Sequence, residues 1–276
     1  MTLLKTLAFA AAGLVLSLTG AQASEIQTPA KDIGFSFEWP FGHFDRAQLQ
    51  RGYKVYKEVC SACHSMQYVS FRNLSQKGGP EFSEEQVKSL AATYTMPDGP
   101  NEQGEMFERP GLPSDRFPSP FPNEQAARVA NGGAYPPDLS LITKYRPGWY
   151  GTINQLINGI GGPQYVYSVL TGFVPDEQLT EEQKKEQPEG KHYNPYFANG
   201  HWIGMPPPLS EGAVTFDDGT PATVDQMARD VSAFLAWTAE PKMEERKRTG
   251  FMVLIFLGAL ALLLYLVKKK VWADVH

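Results

Sequence analysis

The sequence is poor in cysteine: its 276 residues include only two, Cys60 and Cys63. A disulfide-dense scaffold is therefore excluded. Basic residues are outnumbered, because 25 Lys and Arg face 30 Asp and Glu, and the net charge is −5. Nucleic acid is an unfavourable main partner for such a chain, since phosphate binding needs a basic surface. The sequence also lacks a Walker loop, a nucleophile triad and a paired-carboxylate motif, so no separate bond-making activity is expected.

Glycine and proline are plentiful, with 25 and 22 residues, and they predict many turns and long loops. Seven prolines fall within 95–122, so this segment is expected to be an irregular loop. Helical spacing of apolar residues predicts helices over 45–59 and 224–239. A further helix is expected around 153–158, stopped by Gly159, Gly161 and Gly162. The expected fold is mainly α, with long Pro/Gly-rich connections.

The N-terminus has the pattern of a secretory signal peptide. Lys5 precedes an apolar run over 7–18, and Ala21-Gln22-Ala23 is a small-x-small cleavage site. Cleavage before Ser24 is predicted, so residues 1–23 would be removed. An uncleaved anchor helix is the alternative, and the short apolar run argues against it.

A second apolar run, 251–267, contains 17 uncharged residues and is followed by Lys268, Lys269, Lys270 and Trp272. A basic stop with an interfacial aromatic is typical of a membrane exit. The prediction is a transmembrane helix over 250–268 and a cytoplasmic tail over 269–276. A buried core helix is the alternative, although such a helix rarely lacks a polar face. The exported domain, 24–249, would carry a net charge of −8, which favours basic partners.

Both cysteines lie in Cys60-Ser61-Ala62-Cys63-His64, the Cys-x-x-Cys-His pattern of covalent haem c attachment. Two thiols three positions apart can add to the two vinyl groups of one porphyrin, and His64 then lies beneath the iron. A thioredoxin-type redox pair is the first alternative, but it prefers a βαβ context. Half of a zinc site is the second, but there is no second Cys-x-x-Cys.

The sixth ligand of the iron is less restricted by the sequence. Met205 is favoured, because Gly204 permits close approach and three prolines stiffen the segment after it. Met96, which also precedes a proline, remains open. A distal histidine is the third option, and the candidates are His43, His192 and His201. Ligation by His and Met closes both axial positions, which favours electron transfer over oxygen chemistry.

Further motifs resemble the cytochrome c1 family. They are Asn-Gly-Gly-Ala-Tyr-Pro-Pro-Asp-Leu-Ser at 131–140, Tyr-Val-Tyr-Ser-Val-Leu-Thr-Gly at 165–172, Tyr-Asn-Pro-Tyr-Phe at 193–197, Ile-Gly-Met-Pro-Pro-Pro-Leu at 203–209 and Phe-Asp-Asp-Gly-Thr-Pro-Ala-Thr at 216–223. The resemblance covers most of the chain after the leader and includes the C-terminal anchor with its basic end.

The resemblance implies a cytochrome c-like haem domain with long loop insertions and Met205 as the sixth ligand. It implies that Arg146 contacts a haem propionate, as a guanidinium can. It also implies that the haem pocket is lined by Asn131, Pro136, Pro137 and Tyr165. Some bacterial members carry an extra disulfide, and this chain has no spare cysteines for one.

The resemblance also implies a role: a one-electron carrier of the quinol–cytochrome c oxidoreductase, the cytochrome bc1 complex. The partners would be cytochrome b, the Rieske iron–sulfur protein and a basic cytochrome c acceptor, in a homodimeric complex of a bacterial inner membrane. Candidate docking patches are Asp176, Glu177, Glu181 and Glu182, or Glu81, Glu84 and Glu85. The alternatives are a haem c subunit of another assembly, such as a terminal oxidase, and a haem-based gas sensor.

Overall fold

The computed structural model describes residues 28–153, 155 and 159–273, and this part of the chain is mainly helical, as expected. The helices are α1 Arg46–Glu58, α2 Glu84–Ala91, α3 Glu124–Ala130, α4 Ile142–Tyr145, α5 Gly162–Leu170, α6 Glu181–Glu186, α7 Val224–Ala239 and α8 Met243–Val271. Short 3₁₀ turns span Cys60–Ala62, Phe71–Ser75 and Asp176–Gln178. The predicted leader, 1–23, lies outside the described residues.

Helices α1 and α7 form the centre of the core, and both begin at a side-chain cap. Asp45 accepts a hydrogen bond from the Gln48 backbone N–H at 3.2 Å, and Thr223 accepts one from Gln226 at 3.1 Å. These bonds satisfy donors that the first helical turn leaves unpaired. The apolar faces of the two helices meet in one cluster that includes Leu49, Tyr53, Tyr56, Met227, Val231 and Phe234. Both helices therefore confirm the sequence prediction.

The two helices cross at Gly52. A Cβ atom at this position would overlap with the Asp230 carbonyl oxygen and would lie 2.7 Å from the Phe234 Cβ. Only a residue without a side chain allows the backbones to approach so closely. Beside the crossing, the fully buried Asp230 carboxylate accepts from Arg51 Nε and Gln226 Nε2, each at 2.8 Å. The buried charge is thus paired and hydrogen-bonded, which burial requires.

The expectation of an irregular loop over 95–122 is wrong for part of the segment. Strand β1, Thr95–Asp98, pairs antiparallel with β2, Phe107–Pro110. Arg109 joins the hairpin by pairing with Asp98 across the strands and with Asp115 beyond them, where Nη2 and Oδ1 are 3.0 Å apart. Both strands are edges, so the prolines at 97 and 110 are tolerated. A second antiparallel pair is formed by β3, His192–Tyr193, and β4, Trp202–Ile203.

Two of the three glycines that follow the helix predicted around 153–158 begin another helix, α5, which the sequence pattern did not predict. Gly161 has a φ of +67° and is the N-cap of α5, and Pro163 lies in its first turn. A proline there is compatible with a helix start because the first N–H groups have no helical partner. The helix predicted around 153–158 lies mostly outside the described residues.

Helix α8 leaves the domain directly after α7. Only Glu240, Pro241 and Lys242 separate the two helices. Its 29 residues make it about 43 Å long at about 1.5 Å per residue, enough to cross a hydrocarbon core of about 30 Å. Its apolar side chains from Phe251 to Val267 are largely exposed rather than packed in the core. This exposure distinguishes α8 from a core helix and indicates membrane anchoring.

Candidate functional site

The Cys-x-x-Cys-His motif forms a tight turn directly after α1. The backbone N–H groups of Cys63 and His64 both donate to the Cys60 carbonyl, at 3.1 and 2.9 Å. The two cysteines are therefore one helical turn apart and on the same side of the chain. Cys63 is exposed and Cys60 is half-buried, and neither forms a disulfide. Burial and the neighbouring Cys63 raise the pKa of the Cys60 thiol to about 12, so without a bound group it is protonated at neutral pH.

His64 is oriented by the loop that follows α3. Its Nδ1 lies 2.8 Å from the Pro137 carbonyl oxygen, so Nδ1 carries the proton and Nε2 keeps its lone pair. Burial lowers the pKa of His64, which favours the neutral ring that a metal ligand requires.

Asp138, the residue after Pro137, ties this loop to the motif. Its Oδ2 accepts from the Ser65 hydroxyl and from the Gln67 backbone N–H, both at 2.8 Å. Its Oδ1 accepts from the Ser140 backbone N–H at 2.8 Å. The backbone adds a bond from Leu139 N–H to the Ser65 carbonyl at 2.9 Å. The Pro-Pro-Asp-Leu-Ser stretch therefore positions the histidine, a role that the sequence analysis did not assign to Asp138.

The loop that carries Met205 approaches the same region. A Cβ atom at Gly204 would lie 3.0 Å from the Ala134 Cβ, so the two loops are in contact here. Met205 itself is half-buried and packs against the main core. On the other side of Ala134, the Asn131 side-chain amide donates to the Ala127 carbonyl at 2.7 Å and closes the end of α3. The amide nitrogen of Asn131 is therefore already hydrogen-bonded within the end of α3, and the side-chain Oδ1 is the polar atom left for other contacts.

Arg146 and Tyr165 lie near each other, and they form a third side of the site in addition to the Pro137 loop and the Met205 loop. Tyr165 is buried, burial raises its pKa, and the positive charge of Arg146 acts against that rise. The same hydroxyl is hydrogen-bonded to the backbone of Ala198, in the loop that leads to β4 and Met205. Arg146 stacks on the Tyr145 ring, with 4.9 Å between the guanidinium carbon and the ring centroid.

The other ligand candidates are placed differently. Met96 is in β1 opposite Arg109, and its Cγ faces Gly111. His43 is exposed and lies beside the first turns of α8. His192 lies in β3 opposite Ile203, and His201 directly precedes β4. The buried Nδ1 of His201 has no hydrogen-bond partner among the described residues.

The donor set fits a covalently attached haem. Two unpaired thiols stand one turn apart, and a neutral imidazole follows them with one nitrogen fixed. A thioether lies on a loop that contacts the loop of Ala134. A cleft of about 210 Å³ opens beside Cys63, with Tyr135 and Pro136 in its lining. This arrangement on a mainly helical domain with one apolar terminal helix is that of a membrane-anchored c-type cytochrome, which is the class that the fold and site define.

Comparisons with known proteins agree with this class. The family model described as "Cytochrome C1 family" matches residues 35–275. Cytochrome c1 of Rhodospirillum rubrum is 46% identical, and the alignment covers 100% of this chain and 99% of that protein. A Solanum tuberosum protein named "Cytochrome c1-2, heme protein, mitochondrial" is 49% identical over 83% of this chain and 80% of its own length. Cytochrome b/c1 of Bradyrhizobium diazoefficiens is 54% identical over 98% of this chain, which spans 40% of that relative.

The chain therefore belongs to the cytochrome c1 family, whose members are haem proteins. It is the electron-transfer haem subunit of a bc1 complex. The alternative of a haem subunit from another respiratory assembly is not favoured by these relatives.

Proposed function

We propose that the chain binds one haem c covalently through Cys60 and Cys63, with His64 and Met205 as the axial ligands. The observation that carries the proposal is the hydrogen bond from His64 Nδ1 to the Pro137 carbonyl, beside two thiols one turn apart. It leaves Nε2 free to bind iron in a fixed direction. When bound, haem c supplies an iron that changes between the ferric and ferrous states, so that one electron is stored without a bond being made.

The surrounding residues would orient and shield this group. Arg146 would pair with a propionate, because a guanidinium offers two parallel donors to a carboxylate. Tyr165 would supply an apolar ring at the wall, and its hydroxyl is already hydrogen-bonded to the Ala198 backbone. Pro136, Pro137 and Asn131 belong to the loop that holds His64, and they would form the pocket edge. Met205 would close the second axial position, so small gases would find no open site.

In this function the chain accepts one electron from the Rieske iron–sulfur protein and passes it to a basic cytochrome c. Cytochrome b and the Rieske protein would be its partners in a homodimeric membrane complex. The anchor α8 would place the haem domain on the periplasmic side of a bacterial inner membrane, with the tail in the cytoplasm. The chain itself would catalyse no bond-forming reaction, because the quinone chemistry belongs to other subunits.

Haem attachment is tested on the purified membrane complex. We expect a pyridine haemochrome assay to give one covalent haem c per chain, and the variant Cys60→Ala/Cys63→Ala to give none. A b-type cytochrome and a Rieske centre should co-purify with the wild-type chain. A chain that lacks covalent haem would refute the proposed cofactor, and haem without those two partners would refute the proposed assembly.

The sixth ligand is tested by Met205→Leu, with Met96→Leu as the matched control. Because axial ligands tune haem potentials over a range of about 0.8 V, losing the thioether should lower the midpoint potential by on the order of 100 mV. The reduced Met205→Leu protein should also bind carbon monoxide, whereas the wild type and Met96→Leu should not. A native potential in Met205→Leu, or a lowered one in Met96→Leu, would exclude the assignment.

A further inference from the structure

A second and larger cavity lies where the folded domain meets α8. Its volume is about 830 Å³, and no residue of the Cys-x-x-Cys-His turn lines it. Four parts of the chain line it: the segment 40–43, Arg46 at the start of α1, the turn at 77–78, and residues between 241 and 252, from the end of the α7–α8 linker into α8. None of these residues has a role in the proposed electron transfer.

The wall of the cavity is held in place by the anchor helix. Lys247 Nζ donates to the Phe37 carbonyl and, at 2.6 Å, to the Trp39 carbonyl. The Phe44 backbone N–H donates to Glu244 Oε1 at 2.8 Å. The segment 36–44 is therefore hydrogen-bonded along the start of α8, and these bonds define the cavity between the two.

The lining carries more basic than acidic charge. Arg46 is neutralised by Glu244, with 2.8 Å between Nη1 and Oε1, and Lys242 is paired with Glu245 at 2.9 Å. Lys77 and Arg248 also line the cavity, and neither forms an ion pair within the described part of the chain. Two cationic side chains thus remain for an anionic occupant.

The position of the cavity along α8 indicates that the occupant also has an apolar part. The uncharged run of α8 begins after Arg248, and Phe251 and Met252, which lie in its first turn, line the cavity. Phe41, which is 71% exposed, meets Phe251 edge-on with ring centroids 5.2 Å apart. Trp39 beside it is 77% exposed, and exposed aromatics at this level are typical of the headgroup region. The cavity therefore has a basic end at headgroup depth and an apolar end in the hydrocarbon.

We propose that this cavity binds one anionic phospholipid. Its phosphate would lie between Lys77 and Arg248, and one acyl chain would run along Phe251 and Met252. A phospholipid has the same order of charged and apolar parts as the lining, and it is abundant at this depth. The site depends on the membrane anchor and not on the haem, so it goes beyond the proposed electron transfer. Bound lipid would join segment 36–44 to α8 and fix the tilt of the anchor against the domain.

The first test compares lipid binding to the intact complex in nanodiscs of phosphatidylglycerol and phosphatidylcholine. After graded delipidation, native mass spectrometry counts the lipid that each complex retains. We expect Lys77→Gln/Arg248→Gln to lower the preference for phosphatidylglycerol by roughly tenfold, since each basic group near the bilayer surface adds to anionic binding. The control, Lys184→Gln/Lys185→Gln on the exposed helix α6, should bind like the wild type. An unchanged preference in the first variant would refute the site.

The second test identifies what occupies the cavity in the membrane. A photoreactive phenylalanine analogue at Met252 should form an adduct with the mass of a phospholipid. An adduct with another subunit would instead mean that a protein segment fills the cavity, and the proposal would be wrong. Flotation of every variant with vesicles checks the anchor separately, and the haem content of each variant reports the proposed cofactor independently of the lipid.

Discussion

The histidine of the Cys-x-x-Cys-His turn shows how single residues build this site. The direction of the His64 ring is set by a carbonyl that lies 73 positions later in the chain, at Pro137. Pro137 has a fixed φ, and the next residue, Asp138, accepts three hydrogen bonds that lock the loop in place. A ligand held in this way loses little further freedom when it binds a metal.

Asp138 should therefore be more important for stability than its half-buried position indicates. Asp138→Asn keeps the size of the side chain but replaces one acceptor oxygen with a donor, which would face N–H or O–H groups. We expect a loss of about 1–3 kcal/mol in the free energy of unfolding. A urea titration of the purified chain, followed by tryptophan fluorescence, measures this loss.

Asp217→Asn is the matched control for Asp138→Asn. The Asp217 side chain is 90% exposed and bonds only to Lys54 among the described residues, so its loss should change stability by less than about 0.5 kcal/mol. Equal effects of the two substitutions would contradict the role given to Asp138.

At the scale of elements, the contact of α1 with α7 decides the position of the Cys-x-x-Cys-His turn. The turn begins where α1 ends, so any movement of α1 is passed to Cys60 and His64. The helices approach closely because residue 52 is a glycine, and the Arg51–Asp230 pair lies beside the contact.

Gly52→Ala is expected to force the two helices apart. The added methyl group would overlap with backbone atoms of Asp230, which cannot rotate away as a side-chain tip can. Overpacking of this kind costs about 1–3 kcal/mol, and urea or thermal unfolding would show it as a lower midpoint.

The control for this substitution is Gly34→Ala. No atom lies within 4 Å of a Cβ at Gly34, and its φ is not in the left-handed region, so stability should be close to the wild type. If Gly52→Ala were as stable as Gly34→Ala, the close crossing would not limit the fold.

The helices and strands differ in how well local sequence patterns predict them. Helices α1 and α7 were predicted because an apolar stripe at helical spacing lies within each segment itself. The hairpin of β1 and β2 was missed because Arg109 must reach Asp98 and Asp115 to hold it, and no local pattern shows that contact. The start of α5 was missed because Gly161 in a left-handed conformation can end one element or begin another.

At the scale of the whole molecule, the net charge of the domain acts over the longest distance. Residues 24–249 carry 29 acidic and 21 basic side chains, so the domain attracts a basic partner from a distance. The candidate patch formed by Asp176, Glu177, Glu181 and Glu182 is exposed, and Glu181 is paired with Lys184 at 3.0 Å. In the other candidate patch, Glu81 is paired with Arg46 next to the anchor helix, which leaves Glu84 and Glu85.

Electron transfer to a basic cytochrome c should slow as salt is added. Stopped-flow measurements at rising ionic strength are expected to show a fall in the second-order rate constant of about tenfold, because salt screens charges beyond about 10 Å. Glu181→Gln/Glu182→Gln should weaken this dependence more than Glu84→Gln/Glu85→Gln, which removes the same charge elsewhere. A rate that does not change with salt would contradict electrostatic docking.

The sequence alone determined the Cys-x-x-Cys-His motif and the apolar anchor segment. Both depend on residues adjacent in the chain: five residues carry the haem c motif, and 17 uncharged residues followed by three lysines form the anchor. Only the tertiary structure brought the Pro137 carbonyl to His64, the Met205 loop to Ala134 and segment 36–44 to α8. These contacts join residues far apart in the chain. They form because the packing of α1 on α7 and the hydrogen bonds of the connecting loops bring those residues together.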